Sequence, residues 1–175
     1  MERLLEIMHA EPDIVVMENP MPLPEVGQGN IRFCNLSFCY PSRPDTLAFK
    51  NLAMDIGPDE TAAFVGLSEA GKTTSVHLLL RFYDTQSGRI EIDGIDIPRA
   101  DPEQVRNRIG LVPQATIMFG ATARENIRYG RPDAIDAEIE AVARAAAADD
   151  FISTLPDGPG ACLGERRTRL SSGQR

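Results

Sequence analysis

The most informative segment of this 175-residue chain is Gly66-Leu67-Ser68-Glu69-Ala70-Gly71-Lys72-Thr73. It fits the phosphate-loop pattern, in which two glycines separated by any four residues are followed by Lys and then by Ser or Thr. The pattern indicates a nucleotide site where a strand precedes it and a helix follows it. Both neighbours are expected here, because residues 61–66 form a short apolar run and residues 72–83 read as a helix. The alternative is a strand-to-helix turn that contains Lys and Thr by chance.

Each part of this segment suits a polyphosphate. Backbone N–H groups of residues 69–73 can surround the phosphates, helped by the N-terminal end of the following helix. Lys72 supplies a positive charge for the outer phosphates, and the hydroxyl of Thr73 can ligate Mg²⁺. The expected nucleotide-contacting residues of the segment are Gly66, Ser68, Glu69, Ala70, Gly71, Lys72, Thr73 and Thr74. The motif alone does not separate transporters from kinases or GTPases.

The residues before the motif predict a short helix, a linker and two strands. Apolar residues at helical spacing predict a helix over 2–9, and residues 18–30 are rich in Pro and Gly, which is typical of a linker. Apolar residues alternate along 31–40 and 47–56, with a break in the alternation at Asn35. This alternation predicts an antiparallel sheet with one covered face.

The residues after the motif predict an α/β core followed by helices. The apolar runs 61–66 and 109–113 are typical of strands buried on both faces, and Asp93-Gly94 between β-rich runs predicts a hairpin turn. Residues 101–108 have a helical composition, and helical patterns dominate from Thr122 onward. The predicted fold class is α/β, with a P-loop NTPase core, an N-terminal antiparallel β-subdomain and a helical subdomain.

Composition and charge narrow the possible partners. The formal net charge is −8, and because nucleic-acid binding needs a basic surface, we expect no nucleic-acid partner. No apolar run approaches the ~18–20 residues that span a bilayer, so we expect any membrane role to come through a partner or a missing segment. The cysteines Cys34, Cys39 and Cys162 lack the paired spacing of a zinc site, and we expect reduced thiols.

Several further segments carry a family resemblance. They are FCYPSRPD (38–45), VGLSEAGKTT (65–74), LLLRFYDTQSGRIEIDGIDI (78–97), IGLVPQ (109–114), ARENIRYGRPDA (123–134) and GERRTRLSSGQR (164–175). In this order they resemble the ATP-binding domain of ABC transporters of the exporter type, whose cargo is drugs, lipids or peptides. The resemblance implies that residues 1–30 are a linker helix and linker from a membrane domain. It also implies that residues 31–175 are a partial ATP-binding domain.

The resemblance implies roles for residues outside the phosphate loop. Tyr40 stands where the family stacks an aromatic ring on adenine, although a strand-end aromatic that packs on the sheet is the alternative. Gln114 matches the loop glutamine that reaches Mg²⁺ and the attacking water and senses the membrane domain. The signature residues Ser171, Ser172, Gly173 and Gln174 match the segment that contacts the ATP of a second ATP-binding domain in a head-to-tail dimer.

This sequence departs from the family pattern at four places. Glu69 and Ser172 replace glycines, and Cys162 replaces an acidic residue of the loop before the signature. A carboxylate about 4 Å from a phosphate charge costs about 4 kcal/mol at an effective dielectric constant of ~20, and far less if it points into solvent. We therefore expect Glu69 to weaken ATP binding. The sequence also ends at Arg175, before the family's Asp-Glu strand and switch histidine, so we expect no ATP hydrolysis by this chain alone.

The resemblance places the chain at the cytoplasmic face of a membrane, as part of a transporter with a membrane-spanning domain, and as a soluble chain if it is alone. Three alternatives remain at this point. An inactive interaction fragment would pair with an intact transporter subunit without turnover, and a gene remnant would have no function. A small-molecule kinase with a phosphate loop would transfer phosphate to an acceptor.

Overall fold

The computed structural model of the protein describes residues 14–66, 71–113 and 118–163. These residues belong to two compact units that divide between Gly110 and Leu111, called here the sheet unit and the helical unit. The predicted helix over 2–9 lies outside the described residues. The same is true of these predicted site residues: Ser68, Glu69, Ala70, Gln114, Ser171, Ser172, Gly173 and Gln174.

The sheet unit alternates strands with short helices. Its elements are β1 (Ile31–Cys39), β2 (Leu47–Ile56), α1 (Lys72–Leu79), β3 (Ser87–Ile92), β4 (Ile95–Asp96), a 3₁₀ turn (Ile97–Arg99) and α2 (Pro102–Asn107). The strands form one antiparallel sheet in the order β2-β1-β3-β4. The predicted antiparallel β-subdomain is therefore confirmed.

The expected irregularity at Asn35 is present in β1. Asn35 has φ 46°, and the pairing with β2 shifts register between Phe33 and Leu36. The extra residue restores the side-chain alternation, so Phe33, Leu36 and Phe38 all face the core and are buried. The register shift is thus what allows one strand to keep a single apolar face on both sides of the break.

The predicted hairpin turn joins β3 to β4. Asp93 and Gly94 have φ values of 50° and 79°, as both central residues of a two-residue hairpin turn require, and Ile92 pairs with Ile95.

Asp96 follows on β4, and burial raises the pKa of its carboxyl, with Arg89 acting in the opposite direction. Its Oδ1 atom is buried without a hydrogen-bond partner among the described residues.

The core of the sheet unit lies between the sheet, α1 and α2. Its buried members are Leu23, Phe33, Leu36, Phe38, Leu78, Ile90, Ile92, Ile97, Ala100 and Val105. Leu23 belongs to the stretch predicted as a linker, and its N–H donates to Oε1 of Gln104 at 3.2 Å. Met21 N donates to the carbonyl of Arg99 at 2.8 Å. That stretch is therefore attached to the sheet unit at Met21 and Leu23.

Two segments predicted as buried strands are not strands in the structure. Residues 61–66 and 109–113 pair with no strand of the described chain, and Val65 and Val112 are 89% and 93% exposed. This prediction was wrong because apolar composition shows only that a segment would suit a position between two strands. It does not show that those neighbouring strands are present. A strand forms where those neighbours supply hydrogen-bond partners, and here the described residues supply none.

The helical unit confirms the predicted helical subdomain. It contains α3 (Ala123–Arg128), α4 (Asp136–Ala145), α5 (Asp149–Ser153) and a 3₁₀ turn (Gly158–Gly160). A small apolar cluster joins them through Ala123, Ala143, Ile152 and Leu163. A single antiparallel bridge between Thr122 and Cys162 brings the end of the described unit back to the start of α3.

A capping box starts α3. The Thr122 hydroxyl accepts from the N–H of Glu125 at 3.1 Å, and the Glu125 carboxylate accepts from the N–H of Thr122 at 2.8 Å. The backbone hydrogen bond from Thr122, followed by the bond from its hydroxyl, lowers the pKa of Glu125. The cap therefore depends on the ionised carboxylate.

Among the described residues, no helix combines the length and the apolar character that a membrane crossing requires. All of the cysteines, Cys34, Cys39 and Cys162, fall in the described ranges and none forms a disulfide, as expected from the sequence.

Candidate nucleotide site

The predicted phosphate loop leads into the first residue of α1. Gly71 is the N-cap of this helix, with φ 79°, and it provides no side chain to occupy the helix N-terminus. A Cβ atom at Gly71 would lie 2.6 Å from Cε1 and 2.8 Å from Cζ of Phe49 on β2. Only glycine suits this position, since it allows the positive φ and the close approach of the helix to the sheet.

Lys72 connects the two ends of the motif. Its Nζ atom donates to the carbonyl of Gly66 at 2.8 Å, so the first residue of the motif lies beside its lysine. Thr73 is exposed in the first turn of α1, and that turn contains no acidic residue. A cation, a hydroxyl and the N-terminal end of a helix therefore lie together, which fits a polyphosphate with Mg²⁺.

Thr74 and Ser75 turn inward behind this surface. Both are buried, and the hydroxyl of Ser75 donates to the carbonyl of Lys72 at 2.7 Å. The hydroxyl of Thr74 accepts a hydrogen bond from the hydroxyl of Tyr40 at 2.9 Å. Two residues that the sequence assigned to opposite ends of a nucleotide, its phosphates and its base, are thus in direct contact.

Tyr40 follows β1 and is partly exposed. Its ring makes edge contacts with Phe38, at a centroid distance of 5.0 Å and 76°, and with Tyr83, at 5.2 Å and 87°. Nδ1 of His77 lies 3.4 Å from its hydroxyl. These contacts fix the ring in an aromatic group. No motif or spacing in the sequence indicated that His77 takes part.

Arginines hold the C-terminal end of α1. Arg81 is only 2% exposed, adopts φ 51°, and donates to Asp84 at 3.0 Å and to the carbonyl of Val15 at 3.0 Å. Arg106 on α2 donates to the carbonyls of Leu80 at 3.1 Å and of Arg81 at 3.1 Å. These bonds satisfy carbonyls that the helix end leaves without partners. Sequence reasoning missed both arginines, because nothing local distinguishes a buried arginine from a surface one.

The structure therefore brings together Gly66, Gly71, Lys72 and Thr73 at one end of α1, and Tyr40 with Thr74 beside it. The nucleotide-binding roles of all of these residues stay predictions, and the remaining site residues lie outside the described part of the chain. These are Ser68, Glu69, Ala70 and Gln114, with the signature residues Ser171, Ser172, Gly173 and Gln174.

Comparison with known proteins points to one family. The sequence profile of the family described as ABC transporter matches residues 49–175. The chain is 43% identical to ABC transporter B family member 19 of Arabidopsis thaliana, over 99% of this chain and 14% of that protein. It is 42% identical to an ATP-dependent lipid A-core flippase of Syntrophus aciditrophicus (strain SB), over 99% of this chain and 28% of that protein.

A solved structure of a bacterial Atm1-family ABC exporter with ATP bound has the same fold. It superposes on 99% of this chain with a TM-score of 0.90 and 36% sequence identity. This chain spans 30% of that exporter chain, and it spans between 14% and 28% of the two curated relatives. The similarity thus covers nearly all of this sequence and a minor part of each larger protein.

Proposed function

The chain belongs to the ABC transporter family, and we propose that it is the ATP-binding module of an exporter that couples ATP binding and hydrolysis to transport across a membrane. The observation that carries this proposal is the start of α1. There the N-cap Gly71 contributes no side chain to the helix N-terminus, and Lys72 reaches back to Gly66 at 2.8 Å. The relatives that are named as an exporter and a lipid flippase support the transport role.

In this proposal each part of Mg-ATP has its own residues. The triphosphate binds Lys72 and the backbone N–H groups that lead into α1. The Thr73 hydroxyl and Gln114 hold Mg²⁺, which supplies charge neutralisation at the phosphates. Tyr40 receives the adenine ring, whose π-face suits an aromatic contact.

The proposed partners are a second ATP-binding domain and a membrane-spanning domain. The signature segment 171–174 contacts the nucleotide of the second domain in a head-to-tail dimer. Residues 1–30 lead from the membrane-spanning domain, and the module lies at the cytoplasmic face of the membrane. Support comes from the exporter relatives, each of which is several times longer than this chain.

Calorimetric titration of the purified chain with Mg-ATP tests ATP binding directly. We expect the parent chain to bind and Lys72→Ala to bind about 10- to 100-fold more weakly, because a charge-assisted hydrogen bond contributes about 1.5–3 kcal/mol. Lys50→Ala is the matched control. Lys50 is the only other lysine of the sequence, it is exposed on β2, and its loss changes the net charge equally.

The variant Glu69→Gly distinguishes an ATP site that Glu69 blocks from a chain that has no ATP site. Binding by Glu69→Gly but not by the parent chain would mean that the glutamate blocks an otherwise sound site. If neither chain binds Mg-ATP, or if Lys72→Ala and Lys50→Ala behave alike, the proposed ATP-binding role is refuted.

A further inference from the structure

We infer that Thr74, His77 and Gln86 are positioning residues that hold Tyr40 as a fixed platform for the adenine ring. This inference rests on the proposed function, since it concerns the base end of the same nucleotide site. It differs from stacking itself, because these three residues act through Tyr40. It assigns the base recognition of this chain in part to α1, the helix that also begins the phosphate site.

The hydroxyl of Tyr40 is the first anchor point. A phenol has one proton to donate, and here it goes to Oγ1 of Thr74 at 2.9 Å. Nδ1 of His77 lies 3.4 Å from the same oxygen. With the phenol proton directed at Thr74, His77 contributes as a donor when its tautomer carries hydrogen on Nδ1. The chain of donors then runs from His77 to Tyr40 to Thr74.

The backbone next to Tyr40 is the second anchor point. The side-chain amide of Gln86 accepts from the N–H of Cys39 at 2.9 Å and donates to the carbonyl of Cys39 at 3.0 Å. Cys39 pairs with Leu47 on the β2 side. The pair of bonds with Gln86 supplies its partner on the other side, beyond the last pair of β1 with β3, Ser37 with Ser87. The carbonyl of Tyr40 then accepts from the N–H of Arg43 at 2.9 Å, which turns the chain directly after the aromatic residue.

The two anchor points fix the base platform relative to the phosphate site. Thr74 follows Lys72 by two residues on the same helix, so a ring tied to Thr74 moves with the residues proposed to hold the phosphates. An immobilised aromatic loses less conformational entropy when a base stacks on it, and this raises affinity without any new contact to the nucleotide. The effect concerns only ligands that carry a base.

Tyr40→Phe is the direct test, because it keeps the ring and removes the hydroxyl. The full 175-residue chain is titrated with Mg-ATP and, separately, with Mg-tripolyphosphate, which has no base. We expect Tyr40→Phe and Thr74→Val each to weaken Mg-ATP about three- to tenfold, the effect of one hydrogen bond. Tyr40→Phe should in addition leave tripolyphosphate within about twofold, because Tyr40 lies at the base end of the proposed site. Tyr129→Phe, which removes a hydroxyl from an exposed ring of the helical unit, is the control.

Conservative variants distinguish positioning from folding. Thr74→Ser keeps the acceptor and His77→Asn keeps a donor near the position of Nδ1, so both should recover most of the Mg-ATP affinity that Thr74→Val and His77→Leu lose. The double variant Tyr40→Phe/Thr74→Val should bind no more weakly than the worse single variant, since both remove the same bond. Thermal melts followed by circular dichroism verify that each variant is folded.

The outcomes separate this inference from the proposed function. If the parent chain binds Mg-ATP in a Lys72-dependent way but Tyr40→Phe binds it equally well, the positioning inference is refuted and the ATP site stands. Equal weakening of Mg-ATP and tripolyphosphate by Tyr40→Phe also refutes it, because the effect would then be general. If the parent chain binds neither ligand, the proposed function fails and the inference fails with it.

Discussion

Replacing Gly71 with Ala should destabilise the sheet unit much more than the same change in a hairpin turn. Gly71 and Gly94 have the same φ, 79°, so any residue with a Cβ meets the same backbone strain at both. No atom of the described residues lies within 4 Å of a Cβ placed on Gly94, whereas a Cβ on Gly71 would lie 2.6 Å and 2.8 Å from two ring atoms of Phe49. Gly94→Ala is therefore a matched control that isolates the contact between α1 and β2.

The magnitude follows from two contributions. The left-handed conformation costs a non-glycine residue about 1–2 kcal/mol, and this applies to Gly71→Ala and Gly94→Ala alike. Forcing a methyl group against the packed ring of Phe49 adds about 1–3 kcal/mol at Gly71. Any stabilisation that alanine gives by restricting the unfolded chain is common to both variants. We therefore expect Gly71→Ala to lower the free energy of unfolding by about 1–3 kcal/mol more than Gly94→Ala.

Urea denaturation followed by far-ultraviolet circular dichroism measures this difference. The chain contains no tryptophan, so intrinsic tryptophan fluorescence is not an option. Adding Phe49→Leu to Gly71→Ala removes the ring edge from the contact and should restore part of the loss, with no such effect in the Gly94→Ala background. Equal free energies of unfolding for the two alanine variants would refute the reasoning, because the Phe49 contact would then contribute nothing.

Three further predictions concern buried and ionised groups. Arg81→Met should lower the free energy of unfolding in urea by about 2–4 kcal/mol, because it removes the buried guanidinium that binds Val15; a change below about 0.5 kcal/mol would contradict this. The folded-state pKa of Glu125 is lowered from 4.5 by its bonds with Thr122, so the stabilisation it gives is present above about pH 4.5 and is lost as the pH falls below that value. Thermal melts between pH 7 and 3 should show a smaller acid-induced loss for Glu125→Gln than for the parent chain, and equal losses would count against the cap. Burial raises the folded-state pKa of Asp96 above 3.8, so its stabilising neutral form is lost as the pH rises through that folded pKa. Asp96→Asn should therefore raise the melting temperature at pH 7, and this increase should disappear below about pH 3.8. If the melting temperature at pH 7 did not rise, Asp96 would be fully solvated and the reasoning would be wrong.

The elements that could be predicted from the sequence are those with local causes. Alternating apolar residues in 31–40 and 47–56 predicted β1 and β2, and the break in that alternation located the irregular residue Asn35. Asp93-Gly94 predicted the turn between β3 and β4 because few residue pairs tolerate two positive φ values. In each case the residues that carry the signal are also the ones that form the structure.

The contacts that could not be predicted depend on residues far apart in the sequence. Gln86 completes the end of β1 at Cys39, a bond across 47 positions, and Arg81 reaches Val15 across 66 positions. Neither side chain belongs to a motif, since amides and guanidinium groups occur on most protein surfaces. The prediction of strands at 61–66 and 109–113 was wrong for the same reason, because strand formation there depends on neighbouring strands and not only on the composition of the segments.

Tyr40 shows why two interpretations of one aromatic residue need not compete. The sequence allowed either a platform for adenine or a strand-end ring that packs on the sheet. The ring does pack, against Phe38 and Tyr83, and its hydroxyl is held by Thr74. Ordering a free aromatic side chain on binding costs about 0.5–1.5 kcal/mol, so a platform that already packs binds a base more tightly than a mobile one. Packing is therefore a property that a base platform requires, and the hydroxyl removed in Tyr40→Phe is the feature that distinguishes a held platform from a ring that merely fills space.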